Sequence, residues 1–440
     1  MRKTFLKTLL VAGLILAQAG LAQAAGFNIY EAGARATALG GAFTASADDG
    51  SALFYNAAGL SFQSGSSVSL NLMPVQPRFK FAGATTLTGD GPTAEAASKT
   101  YLIPGAYYTN NNNEKIAFGI GAYAPFGLGV EWMDPYTFVG RQVSYDVDIK
   151  TVYVTPAVSF KIGETLALAV GLDLAHQELS LQKMTLHPTL GINAIDTHIE
   201  GSSSLNATPS LGLMYRPDDK MSFGFMYHHK KTMKYDEQEI TMENAIAPGS
   251  TGYAWSHTLL SGLAGESTDS LHPNLTSEFN LPSIMSFGAS YKFSPRLRLE
   301  GNYVLFGWSH FEKLAMDFDV DALDQEIVFT YEDAWQVRFG LDIVAIEDKM
   351  NVMLGYVYDN TPQPLSSVSP LLPDSDRNDY SIGLQYLTGP WDFTASYMAV
   401  IGTERTTIED GMPANHDPAY PAGTYSSVAN IFGAGVGYHF

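Results

Sequence analysis

The residues with obvious chemical potential are few. Asp317, Asp319, Asp321 and Asp324 form an acidic run in which alternate carboxylates suit a cation. The glycine that turns a calcium-binding loop is missing, so the run reads as a solvated loop. His228-His229 stands beside Lys230-Lys231, a pattern of interest for metal or phosphate. Neighbouring strand residues point to opposite faces, so the two histidines cannot chelate one ion. The ordinary reading is a strand end near polar headgroups. No G-x-S-x-G motif is present, and a barrel-borne hydrolase would have to assemble its site from distant strands. The 440 residues contain no cysteine, which excludes disulfide and thiol chemistry. The expectation is a protein with no catalytic residues, no metal and no cofactor.

What remains is the chemistry of apolar surface. Met184, Leu186, Leu190, Ile192 and Ile195 lie in one expected loop, and Trp255, Leu259, Leu260 and Leu263 in another. Apolar patches in long loops mark binding sites, the alternative being loops that pack on themselves. A ligand with a carboxylate would also need a cation or several donors. Arg338 faces inward by alternation and is available either to such a ligand or to a salt bridge with Asp342 or Glu300. A third feature is the stretch Tyr123-Ala124-Pro125-Phe126-Gly127-Leu128, after the alternating Ile116, Phe118 and Ile120. Proline removes a ladder donor and glycine permits a bulge, so the strand either bends or ends there.

The elements that must position these residues show a rhythm. Short turns fall near residues 110–114, 163–164, 216–220, 294–295, 346–349 and 388–390. Long polar stretches, such as 236–277 and 359–378, come between them. Segments of period two lie between the turns. In one, Met285, Phe287, Ala289, Tyr291 and Phe293 face away from Ser286, Gly288, Ser290 and Lys292. In another, Trp335, Val337, Phe339, Leu341 and Ile343 oppose Gln336, Arg338, Gly340 and Asp342. About 14 such segments give an all-β fold, an antiparallel transmembrane β-barrel with short periplasmic turns, long outer loops and both termini on the periplasmic side.

Composition agrees. The chain is 45% hydrophobic but only 16% charged, against about 25% charged in soluble domains. After residue 25 no apolar run is long enough for a membrane helix. A soluble β-sandwich shares the period but not the linker rhythm. The net charge of −20 would be repelled by nucleic acid. The last strand carries Phe432, Ala434, Val436, Tyr438 and Phe440 on one face, and a terminal aromatic is what barrel-assembly machinery reads.

Residues 1–24 read as a secretory signal: Arg2, Lys3 and Lys7, then an apolar core from Leu9 to Leu16, then Ala22-Gln23-Ala24 before cleavage. Residues 25–65 differ from the barrel, residues 66–440. They are rich in Ala and Gly, with turns at Gly40-Gly41, Asp48-Asp49-Gly50 and Asn56-Ala57-Ala58-Gly59. Glu31 to Leu39 suits one short helix. Anchors such as Phe27, Tyr30, Phe43 and Phe54 favour a small plug inside the barrel over a disordered arm.

Several blocks resemble the FadL family of outer-membrane long-chain fatty acid transporters: Ala25-Gly26-Phe27-Asn28, Asn56-Ala57-Ala58, Phe279-Asn280-Leu281-Pro282, Gly307-Trp308-Ser309-His310-Phe311, Glu332-Asp333-Ala334-Trp335 and Leu372-Pro373-Asp374-Ser375-Asp376-Arg377. Ala57 stands where the family carries proline. The resemblance implies a 14-stranded barrel closed by an N-terminal hatch that includes Phe27 and the Asn56, Ala57, Ala58 motif. It implies capture in an apolar groove between outer loops, passage to an inner site, and sideways exit at a kink in the third strand. The match at Gly127-Leu128 and Glu131 places that kink at Pro125, Phe126 and Gly127. Lys183 matches a basic residue lining the family's inner site, whereas a second basic position falls near Glu326-Ile327.

The candidate ligand-binding residues are therefore Phe27, Lys183, Met184, Leu186, Trp255, Leu259, Leu260 and Arg338. The expected function is passive uptake of long-chain fatty acids across the bacterial outer membrane. The same mechanism serving neutral hydrophobic compounds, such as aromatic hydrocarbons, is the alternative, and a general porin or a barrel enzyme fits less well. The expected partners are the hydrophobic small molecule, outer-membrane lipid, lipopolysaccharide and barrel-assembly machinery, with a monomer as the default state.

Overall fold

The computed structural model describes residues 26–84, 91–113, 115–311, 313–409, 412–413 and 419–440. The expected signal, residues 1–24, lies outside the described residues. Fourteen antiparallel strands close the barrel. They are β1 (Gly65–Gly83), β2 (Tyr101–Asn113), β3 (Ile116–Glu131), β4 (Asp146–Ile162), β5 (Leu166–Leu186) and β6 (Asn193–Ser202 continued by Asn206–Tyr215). Then come β7 (Met221–His228 continued by Lys231–Asn244), β8 (Asn274–Leu281 continued by Ile284–Ser294), β9 (Leu297–Phe306 continued by Lys313–Phe318) and β10 (Gln325–Val328 continued by Ala334–Ile346). The last four are β11 (Met350–Asp359), β12 (Arg377–Thr388), β13 (Trp391–Gly402) and β14 (Gly423–His439). β14 pairs with β1 from Ser67↔His439 to Gly83↔Gly423, which closes the sheet on itself.

The alternation sorts the two faces. Phe287, Tyr291 and Phe293 are exposed on the outer wall of β8, while Ser290 is buried. On β10, Phe339 is exposed whereas Gln336, Arg338 and Asp342 are buried. Lipid solvates the first set, and the lumen must satisfy the second. Among the described residues no helix is long and apolar enough to cross a membrane.

The lumen is filled by the segment before β1. It contains helix α1 (Ala34–Ala38), helix α2 (Ala52–Tyr55) and a 3-10 turn over Ala57–Phe62. Almost every side chain from Phe27 to Leu60 is buried. Small residues are needed where this plug touches the wall: a Cβ on Gly355 would fall 2.1 Å from the Gly40 amide nitrogen. Polar wall residues hold its backbone. The Phe43 and Thr44 amides donate to Asn302 Oδ1 at 2.9 and 3.0 Å, and the Ala45 amide donates to Glu300 Oε1 at 2.7 Å. Arg35 Nη2 meets Asp342 Oδ2 at 2.9 Å. Asn56 works from within, accepting from the Ala58 amide at 3.1 Å and donating to the carbonyls of Thr44 and Leu213 at 2.8 and 3.0 Å.

His228 differs from its expected place near the headgroups. It is buried in the lumen, with Nδ1 2.8 Å from Asp173 Oδ2 and Nε2 2.9 Å from the Phe54 carbonyl. Lys231 is buried beside it and donates to the same carboxylate at 3.2 Å. β7 breaks between the two residues, and the inward carboxylate of Asp173 makes their burial tolerable.

Candidate functional site

β3 carries the break that proline and glycine allow. Tyr123 pairs with Tyr153 of β4, but the next pair is Phe126 with Thr151, so Ala124 and Pro125 together oppose one partner residue. This is a β-bulge. On the other side, β2 pairs with β3 from Asn113↔Ile116 up to Ala106↔Ala122. Beyond that point, among the described residues, the two strands make no further ladder pairs.

The opening so created is occupied from within by the start of the plug. Asn28 bridges to Phe126. The Ile29 amide donates to the Pro125 carbonyl at 2.8 Å, and the Gly127 amide donates to the Phe27 carbonyl at 2.9 Å. Pro125 has no amide hydrogen, so its own side of the ladder was already incomplete. Glycine is required twice here by close approach. A Cβ on Gly127 would fall 2.7 Å from Ile29 Cδ1, and one on Gly129 would fall 2.2 Å from Tyr101 Cζ. The Tyr101 ring thus lies across the gap from β2. Above it, the Ala97 amide donates to the Glu131 carbonyl at 2.6 Å.

A cavity of about 330 Å³ follows this gap. Phe27, Ile29, Leu128 and Ile149 line it from the lumen, while Leu102 and Val152, both exposed on the outer wall, line its mouth. The cavity therefore reaches from the lumen towards the lipid. Phe27 stands at its inner end in an aromatic cluster, with ring centroids 4.9 Å from Trp308, 5.8 Å from Phe311 and 6.0 Å from Phe126. The polar members at that end are Glu31, Asp374 and Arg377. Burial pushes the Glu31 carboxyl up to about 7 against the pull of Arg377. Burial likewise pushes Asp374 up to about 7, although Thr361 and the Gly26 amide donate hydrogen bonds to it.

The two expected cations have different surroundings. Arg338 is buried and committed: Nε donates to Gln336 Oε1 at 2.8 Å, Nη1 donates to the Gly41 carbonyl at 3.2 Å, and the guanidinium lies 4.4 Å from the Tyr30 ring. It makes neither of the salt bridges considered for it, because Asp342 is taken by Arg35 and Arg298 and Glu300 accepts from the plug. Lys183 Nζ donates only to Gln325 Oε1, at 3.3 Å, and has no carboxylate within ion-pair distance among the described residues. Leu181, on the same face of β5, packs against the apolar cluster of Ile199, Ile240, Leu275, Met316 and Phe318.

The loop residues divide. Met184 and Leu186 pack inward with Phe81, Val130, Trp132 and Tyr425. Ile195 and Leu260 are buried. The outer loop after β7 folds into helix α3 (Tyr253–Ala264). Trp255 on it lies with its ring centroid 5.0 Å from that of His187, the rings tilted by 52°. Leu190 and Ile192 approach Gly252 at the start of that helix, and Leu190, Ile192 and Leu259 remain exposed. In the acidic run, Asp319 accepts from Asn274 and Asp324 accepts from the Phe318 amide.

Glu31, Asp374 and Trp308 were not singled out from sequence. Asp374 and Trp308 lie in blocks that carry the family resemblance, and an acid directly after the apolar run Leu371-Leu372-Pro373 was the available signal.

Residues 15–440 match a family described as outer membrane protein transport protein (OMPP1/FadL/TodX). A long-chain fatty acid transport protein of Escherichia coli O6:H1 is 23% identical over 412 residues, covering 86% of this chain and 87% of that one. Outer membrane protein P1 of Haemophilus influenzae is 24% identical over 503 residues and covers 100% of both. A solved Pseudomonas aeruginosa FadL homologue superposes with a TM-score of 0.79 at 20% identity, covering 94% of this chain and 100% of that one. The Ralstonia pickettii toluene transporter TbuX gives 0.67 at 16% identity, over 94% and 100%. With a closed 14-stranded barrel, a plugged lumen and a family match over nearly its whole length, the chain belongs to the OMPP1/FadL/TodX family of outer-membrane transport proteins, which are channels and not enzymes.

Proposed function

We propose that this protein takes up long-chain fatty acids passively and releases them sideways into the membrane through the gap between β2 and β3. The observation that carries the reading is the cavity beside the β3 bulge, lined by lumenal Phe27 and Leu128 at one end and by wall residues Leu102 and Val152 at the other. An apolar molecule following it never crosses a water-filled pore, which suits its solubility. Capture begins where Trp255, Leu259, Leu190 and Ile192 gather at the outer loops. Lys183, a cation beside an apolar cluster and, among the described residues, without a carboxylate partner, supports a fatty acid head group. The Escherichia coli relative is named for such a substrate. The protein works as a monomer, placed by barrel-assembly machinery among phospholipid and lipopolysaccharide.

A second reading, neutral compounds such as aromatic hydrocarbons, is favoured by the commitment of Arg338 to the plug, which leaves one fewer cation for a carboxylate. In both readings the route is the same. The test removes the bulge: deletion of Ala124 together with Pro125→Thr restores a continuous β3 opposite β4. Uptake of radiolabelled oleate by cells that depend on this protein is expected to fall to background, while heat-modifiable migration shows an intact barrel. Undiminished uptake through the straightened strand would overturn lateral release.

A further inference from the structure

The lateral cavity has an acid end. Glu31 and Asp374 both line it and are each 4% exposed. The cation lining the same end is already engaged: Arg377 Nη2 lies 2.9 Å from Asp359 Oδ2 and its Nε lies 3.4 Å from Asp379 Oδ2. Two other cations bear on these acids without facing the cavity as free charges. Arg338 is held by Gln336, Gly41 and Tyr30. Arg405 donates Nη1 to the carbonyls of Gln363 and Asp374 at 2.7 and 3.3 Å. At the outer mouth, Lys150 is paired with Asp148 at 2.9 Å. The rest of the lining is predominantly apolar.

An ionised carboxylate placed at that end would face two carboxyls and, among the described residues, no uncommitted cation. Like charges at short range in a water-poor site repel strongly, whereas a neutral hydroxyl or a protonated carboxyl can hydrogen-bond to either acid. We propose that Glu31 and Asp374 make the lateral cavity selective for uncharged head groups, so that a fatty acid passes it only as the protonated acid and long-chain alcohols or hydrocarbons pass unchanged. The proposal rests on the reading of this cavity as the exit path.

The inference separates two sites by charge. Lys183, outside the cavity and beside the Ile199, Ile240 and Leu275 cluster, suits the ionised acid, and the cavity beside β3 suits the neutral form, the proton being taken from the external solvent before the ligand enters the cavity. Burial holds both acids near 7, so they are themselves protonated at mildly acidic pH and ionised at alkaline pH. The groups that face them are Arg377, Asp379, Arg338 and Tyr30 around Glu31, and Thr361, the Gly26 amide, Arg377, Arg405 and Tyr331 around Asp374.

The test uses the full chain carrying Lys183→Met, so that the outer cation does not hold ligand. Protein in detergent micelles is incubated with equimolar hexadecanol and hexadecanoic acid at about pH 5.5 and about pH 8.5, on either side of both carboxyls. Bound ligand is then quantified by mass spectrometry. Alcohol retention is expected to be the same at both pH values. Acid retention is expected to be lower at the higher pH by about tenfold or more. Adding Glu31→Gln with Asp374→Asn should raise acid retention at the higher pH severalfold, and heat-modifiable migration checks folding. The pH contrast needs no cavity variant. Acid retained at the higher pH as well as the alcohol would overturn the selectivity, and retention of neither ligand at either pH would overturn the exit path itself.

Discussion

The Phe27 carbonyl accepts the Gly127 amide at 2.9 Å, so the start of the plug is bonded to the broken edge of β3. One short backbone segment thereby completes the wall where β2 and β3 part company. The same segment places Phe27 among Trp308, Phe311 and Phe126. Filling of the gap and packing of the cavity's inner end are therefore coupled through one residue. A ligand that displaces the Phe27 ring must also strain the bond that closes the wall.

Phe27→Ala should loosen this closure without unfolding the barrel. Loss of a buried phenylalanine costs about 3–5 kcal/mol where the surroundings do not collapse. Here the loss falls on one docked segment. Hydrogen exchange at the amides of Ile29 and Gly127, which bond to the Pro125 and Phe27 carbonyls, should accelerate by about 100-fold or more, since each 1.4 kcal/mol is a factor of ten. Exchange along β11 to β13 should not change. Unaltered protection at Gly127 would show that the backbone bonds alone hold the segment.

Asp342→Asn should free the far end of the plug. Asp342 receives both Arg35 of the plug and Arg298 of β9 at 2.9 Å. Neutralising it leaves two guanidiniums sharing Asp48, and removing one partner of a buried ion pair costs about 3–5 kcal/mol. Asp48 is partly exposed, so the lower end of that range applies. Limited proteolysis should then cut within residues 34–50 while the barrel keeps its heat-modifiable migration. Resistance equal to wild type would assign plug retention to Asn302, Glu300 and the aromatic cluster instead.

Much of this was legible before any coordinates. Lipid outside and polar groups inside impose period two, so the inward face of Arg338 and the outward face of Phe339 follow from sequence alone. The weakness of β3 followed from Pro125, which lacks a donor. What fills that weakness did not, because the partner, Phe27 to Ile29, lies about a hundred positions away. The same distance problem hid the role of Arg338, whose partners Gly41 and Tyr30 sit on the plug, and of His228, whose partner Asp173 sits on β5. For Met184 and Leu260 the sequence showed apolar residues in outer segments. It did not show that both would be covered by their own surroundings.

Asp374 predicts a dependence on pH with a definite sign. Its carboxyl sits at about 7 in the fold and near 3.9 unfolded. Between those values the folded state binds more protons, so its contribution is fully present below the unfolded value and is lost as pH rises through the folded one. At about 1.4 kcal/mol per unit the loss is at most about 4 kcal/mol. The denaturant midpoint in detergent micelles should therefore fall from about pH 5 to about pH 8 more steeply in wild type than in Asp374→Asn. Other groups titrate in both proteins, so the difference between the two slopes is the reading. Equal slopes would mean that Asp374 is ionised in the fold.

Lys183→Met should discriminate between the two substrate readings. Among the described residues the ammonium donates only to Gln325, and it lies near Leu181 and the apolar cluster that Leu181 joins. A charged hydrogen bond to a carboxylate contributes about 1.5–3 kcal/mol. Losing it should weaken long-chain fatty acid uptake at limiting concentration by about 10- to 100-fold. Methionine keeps the length and apolar character of the lysine stem, so packing in the lumen is retained. Toluene uptake, which needs no cation, should change less than twofold. If fatty acid uptake is untouched and toluene uptake is robust, Lys183 has no head group to hold and the substrate is neutral. If both fall together, Lys183 supports the shape of the passage and not a charge.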